Sequence, residues 1–141
     1  MTGSGAFPRF AADAAVALVA CLHAGFLVVE MFLWETPVVL RAFGLTPEFA
    51  RASRALAANQ GLYNGFLAAG LLWGLTLGGL GRPIKIFFLA CVIVAGLFGA
   101  ATASPRIFWV QALPGGAALA LTLAFALDLK PEKNFDAAGR R

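Results

Sequence analysis

Four long apolar runs, near residues 11–34, 56–78, 83–103 and 106–129, are separated by one long loop at residues 35–55 and two short turns, and this spacing constrains the fold more than any motif does. Each run reaches the roughly 20 apolar residues that a helix needs to cross hydrocarbon. A bilayer offers backbone amides no water to bond, so a crossing segment must satisfy them internally, as a helix does. With 60% hydrophobic and 13% charged residues and a mean hydropathy of +0.82, little chain remains for a soluble domain. The expected architecture is all-α: an integral membrane four-helix bundle with a short interfacial helix in its first loop, forming a single membrane domain over residues 1–141.

Proline and its cap residues mark where helices begin. Thr36-Pro37 and Thr46-Pro47 each place a capping side chain ahead of a proline suited to the first turn, and Gly44 can end what starts at Pro37. This reads as the short interfacial helix, followed by a second helix from Pro47. Its opening turns carry Glu48, Arg51 and Arg54 at the headgroups before it enters the membrane near Leu56. A glycine-rich turn at residues 78–82 precedes Pro83, which opens the third span, and Ser104-Pro105 starts the fourth. Met1 to Phe10 read as a polar lead and Lys130 to Arg141 as a loose polar tail. Arg9 with Leu18-Val19-Ala20-Cys21 resembles a lipoprotein signal, but hydrophobicity continues to Trp34, so the run is read as a span.

The formal charge of +4 comes from scattered residues rather than a basic stripe, which argues against a nucleic-acid partner. The cations report orientation instead. Arg9, Arg82, Lys85, Lys130, Lys133, Arg140 and Arg141 fall on one side, against Arg41, Arg51, Arg54 and Arg106 on the other. The positive-inside rule then makes both termini cytoplasmic. Cys21 and Cys91 lie mid-span, where a thiol is usually a small buried apolar group.

Within the apolar runs, ionisable and amide side chains stand out, because such a residue inside a membrane is a functional-site candidate by default. His23 and Glu30 are seven residues apart, about 20° around a helix and about 10 Å along it. Trp34 follows Glu30 by four residues and is expected on the same face, at the interface an indole prefers. From the same outer side, Asn59, Gln60, Tyr63 and Asn64 open span two, Thr102 closes span three and Gln111 begins span four. His23 is the expected midplane floor of this layer. Pro114 cannot donate to Val110, so a kink and a freed carbonyl are expected beside Gln111. A carboxyl in hydrocarbon must be neutral or paired, and a layer this polar exceeds what packing requires. The expected ligand-binding set is His23, Glu30, Trp34, Asn59, Gln60, Tyr63, Asn64 and Gln111. Glu30 and His23 are also the candidates for catalysis, as general acid and base.

One histidine with one glutamate makes no metal site, and a lone histidine gives no bis-histidine haem, so no metal or cofactor is expected. Ser4, Ser53 and Ser104 lie outside the spans and form no triad, and there is no phosphate-binding glycine loop. Small residues recur at four-residue spacing: Gly61, Gly65 and Ala69; Gly70, Gly74 and Gly78; Cys91, Ala95, Gly99 and Ala103; Ala112, Gly116 and Ala120. Such stripes let helices approach in lipid and leave one face for a homo-oligomer contact.

Several of these residues coincide with a known pattern. Leu22-His23, Glu30-Met31, Leu33-Trp34 and Pro37, the stretch from Asn59-Gln60-Gly61 to Gly70, Cys91-Val92 with Val94-Ala95-Gly96 and Gly99-Ala100, and Gln111 with Pro114 resemble the small bacterial membrane proteins of the domain-of-unknown-function 1304 family. The likeness covers about residues 15 to 128. It implies four spans in a bacterial cytoplasmic membrane and implies no activity.

Three functions are compatible with these residues. The first is a pocket open to the outer leaflet that binds a small amphipathic or lipid-like molecule and transports it with proton coupling, alongside bulk membrane lipids as partners. The alternative is an intramembrane enzyme using Glu30 and His23 on a lipid-like substrate lying between them. The third is a structural subunit of a membrane complex, which the glycine stripes favour.

Overall fold

The computed structural model describes residues 6–128. Helices α1 (Ala6–Phe32), α2 (Pro37–Phe43), α3 (Pro47–Thr76) and α4 (Arg82–Thr102) are followed by a π-helical turn (Phe108–Ala112) and by α5 (Leu113–Asp128). No strand occurs among the described residues. The α1 helix begins inside the stretch expected to be a polar lead, while Lys130 to Arg141 lie outside the described residues.

The proline signals act where the sequence places them, though not always through the expected atom. Thr46 caps α3 by accepting from the Phe49 amide at 3.2 Å. Thr36 does not cap α2 with its side chain. Its hydroxyl turns back and donates to the Leu33 carbonyl at 2.7 Å, so it closes α1 instead. Gly44 ends α2 in the left-handed region at φ 66°, a conformation glycine adopts without a Cβ clash. Between α3 and α4 the chain reverses through Gly78, which also takes a positive φ of 55°. Ser104 accepts, at 3.4 Å, from the Arg106 amide where the last helical segment starts.

The four long helices close a ring in which α1 packs on α3 and α5, and α4 packs on α3 and α5. Val16, Val19 and Ala20 of α1, Leu71 of α3, Leu89 and Val92 of α4 and Ala118 of α5 form the core between them. Glycines set how closely the helices approach. A Cβ on Gly61 would come within 2.7 Å of the Met31 Cγ, and one on Gly74 within 2.6 Å of the Lys85 Cγ. Gly70 lies directly beneath the Phe88 ring. On the other side of α4, the Gly96 backbone meets that of Ala112, and Gly115 meets Val92. The stripes are therefore only half used as the spacing suggests. Ala69, Ala95 and Ala120 are exposed and Gly116 faces open space, while Gly96 and Gly115, off the expected rows, make close contacts.

Much of the exterior along the long helices is apolar. Leu18, Phe66, Phe87, Val94, Phe98 and Trp109 all present most of their surface outward or nearly so. Among the described residues, α1 from Arg9 onward and α4 are long and apolar enough to cross a membrane. The α3 helix has 30 residues, about 45 Å, and its arginines and amides dilute its hydropathy.

Candidate functional site

Glu30 and Asn64 form the centre of the polar layer. Gly61 and Gly65 let α1 lie close along α3, which brings the last turns of α1 level with the middle of α3. There the Asn64 Nδ2 donates to the Glu30 Oε2 at 2.7 Å, and Asn64 is buried. The Glu30 carboxyl is half-buried, and Asn64 supplies from the neighbouring helix the hydrogen bond that such a group needs.

Beyond Asn64 a cavity of about 390 Å³ opens between α3, α4 and the π turn. Gln60, Tyr63, Asn64 and Gln111 give its polar groups, and Phe66, Leu67, Cys91 and Ala95 its apolar walls. Its origin lies in the packing. Toward one end, Gly70 and Gly74 draw α3 against Phe88 and Lys85 of α4. One and two turns further along α4 the cavity-facing residues are the small Cys91 and Ala95, which cannot fill the space between the helices.

Pro114 shapes the third wall. Having no N–H, it cannot continue the regular ladder, and the chain widens into a π turn in which the Leu113 amide bonds the Phe108 carbonyl five residues back. The expected disruption is thus a π turn. It holds Gln111 toward α4, where its Nε2 donates to the Val92 carbonyl at 3.3 Å and leaves the amide oxygen available.

The remaining expected residues are placed elsewhere. His23 is fully buried in α1; its Nδ1 is 2.9 Å from the Val19 carbonyl. A carbonyl only accepts, so the proton sits on Nδ1, and Nε2 is buried without a partner among the described residues. His23 does not line the cavity as its floor. Trp34 lies past the end of α1 at Phe32 and outside the cavity lining. Its indole donates to the Ser53 hydroxyl at 3.1 Å and packs on Phe43, fastening the first loop to α3. Asn59 is exposed and outside the lining, and the Thr102 hydroxyl donates to its own helix at the Phe98 carbonyl. Glu30 reaches the cavity only through Asn64. Among the described residues, no three His, Cys, Asp or Glu side chains converge as a metal site would need.

At the other end of the bundle lies a pair of which the sequence reading counted only Lys85, as a topology signal. The Lys85 Nζ, 6% exposed as a residue, is 2.7 Å from the Asp13 carboxylate, with Arg9 3.9 Å from the same group. The signal was present: Asp13 and Lys85 both fall at the inner edges of their spans, and a lysine in an apolar helix turn calls for an anion.

The sequence profile of a family described as "Protein of unknown function (DUF1304)" matches residues 17–123. The chain belongs to this family. The matched DUF1304 stretch contains His23, Glu30, Asn59 to Asn64 and Gln111, and so every residue that lines the cavity. A relative in Lactococcus lactis subsp. lactis, "Uncharacterized protein YpaA", is 30% identical over 101 residues, covering 70% of this chain and 83% of its own length. No solved structure matches this DUF1304 chain.

Proposed function

We propose that this protein crosses the bacterial cytoplasmic membrane four times and receives a small amphipathic molecule in the cavity between α3, α4 and the π turn. The membrane reading draws support from the apolar exterior and from the spacing of the two polar layers. Asp13 and Glu30 are seventeen residues apart on α1, about 25 Å of rise, against a hydrocarbon core of about 30 Å. The residues of α3 before Leu56 then stand among the headgroups, with Arg54 within 3.5 Å of Glu35.

The observation that carries the binding reading is the composition of the lining: three amides and a phenol in a cavity whose other walls are Phe66, Leu67, Cys91 and Ala95. An apolar pocket with a few convergent polar groups is the usual form of a small-molecule site. The carboxyl of Glu30 is engaged by Asn64, so the groups offered to a guest are amides and a hydroxyl, which suit an uncharged hydrogen-bonding head on an apolar body. Catalysis with His23 and Glu30 as a pair has less support, since neither touches the cavity.

Two cysteines allow the test without engineering, because Cys91 lines the cavity while Cys21 is exposed on α1. Dodecyl alcohol, a neutral amphiphile, is expected to slow N-ethylmaleimide modification of Cys91 and not of Cys21. Gln111→Leu should weaken that protection about tenfold, as loss of one buried polar contact implies. Equal effects of the alcohol on the two cysteines would discard the site.

A further inference from the structure

A second concavity lies at the amino end of α4, lined by Gly79, Leu80, Arg82, Pro83, Ile86 and Phe87, with a volume of about 690 Å³. It is an open groove with an apolar floor and a guanidinium at its rim. The Nε of Arg82 is buried and has no hydrogen-bond partner among the described residues. Among the described residues, positive charge dominates around it. Arg9 reaches the same turn, where its Nη2 lies 3.0 Å from the Cβ position of Gly78, and Lys85 follows Arg82 by one helical turn. Among the described residues, Asp13 is the carboxylate that meets these cations, and Lys85 and Arg9 share it. Leu80, 87% exposed, and Phe87 extend the apolar side outward.

We propose that this groove binds an anionic phospholipid, the phosphate headgroup meeting Arg82 and Arg9 and an acyl chain lying along Ile86 and Phe87. The inference rests on the membrane reading given above, which puts this turn at the cytoplasmic surface, and is independent of the cavity. Charge complementarity selects the occupant. A zwitterionic lipid leaves the excess cations unmatched, whereas basic pockets between helices on that side suit anionic headgroups. Guanidinium forms paired hydrogen bonds with phosphate, the pairing an anionic headgroup would make with Arg82 in the groove's lining.

The test uses the full chain in nanodiscs of equal phosphatidylglycerol and phosphatidylcholine, extracted into neutral detergent and read by native mass spectrometry. Wild type is expected to retain phosphatidylglycerol over phosphatidylcholine by about fivefold or more, the factor for one basic residue at a membrane surface. Arg82→Gln should bring the two lipids to parity, while Arg106→Gln, which removes the same charge at the opposite end, should leave the preference intact. Glycerol phosphate in excess should not displace the lipid, because it lacks the chain that Ile86 and Phe87 would hold. Equal retention of both lipids by wild type, a preference surviving in Arg82→Gln, or displacement by glycerol phosphate would overturn the proposal. Should Arg82→Gln not fold, the wild-type lipid comparison and the displacement arm still decide it. Failure of the chain to enter nanodiscs at all would instead refute the membrane reading.

Discussion

Replacing Gly96 by alanine tests the packing that forms the cavity's third wall. The added Cβ would sit 2.7 Å from the Ala112 backbone nitrogen and 3.0 Å from its Cα and Cβ. Ordinary contacts need about 3.5–4.0 Å, so α4 and the π turn must separate by about 1 Å. Backbone cannot swing aside as a side chain can, and overpacking of this kind costs about 1–3 kcal/mol. Gly116→Ala is the matched control: it adds the same methyl to a neighbouring helix, where nothing lies within 4 Å. Both changes gain about the same helix propensity, up to about 1 kcal/mol, so their difference isolates the clash. Thermal unfolding in detergent, followed by tryptophan fluorescence, should place Gly96→Ala roughly 5–10 °C below Gly116→Ala. Equal midpoints would refute the close approach of α4 to the π turn, and with it the position given to Gln111.

Asn64→Leu should destabilise the protein by about 1–3 kcal/mol by leaving the Glu30 carboxyl without its donor, and Glu30→Leu in the same background should recover most of that loss in a thermal-unfolding cycle. Asp13→Asn leaves the nearly buried Lys85 ammonium without its counter-charge; because the Asp13 side chain is 32% exposed, the expected loss is about 1–3 kcal/mol rather than the larger figure for fully buried pairs, and Asp13→Leu with Lys85→Met should restore stability. Pro114→Ala returns an N–H to the ladder and lets a regular α-turn compete with the π turn, so the dodecyl alcohol protection of Cys91 should fall while the unfolding midpoint holds or rises.

Local chemistry made much of the helix plan legible in advance. Thr46-Pro47, Gly44 and Ser104-Pro105 announce their boundaries because capping and proline act within one turn. The Glu30 and Asn64 pair was foreseeable as a shared layer, since depth follows from position in an apolar run. Which way a side chain faces was harder to read. Trp34 was expected in the lining but lies past the end of α1, where its indole bonds Ser53 of α3 and stays outside the cavity. His23 turned out to bond its own helix, at a carbonyl that periodicity does not mark as available. The glycine rows misled for a related reason. Four-residue spacing identifies a face but not its neighbour, so Gly96 and Gly115 make contacts that Ala95 and Gly116 do not. The Asp13 and Lys85 pair depends on two residues far apart in sequence meeting across the bundle, which no single-helix pattern contains.

The cavity's capacity to hold a guest is tested most directly by native mass spectrometry of the chain extracted gently from its own membranes, wild type beside Ala95→Trp. Ala95 lines the cavity and is exposed, so an indole there fills the space without entering the core. The account predicts that wild type carries a small neutral molecule as a bound adduct and that Ala95→Trp, folded to the same helical content, carries none. An adduct that persists undiminished in Ala95→Trp, or a wild-type chain that never carries one, would contradict it.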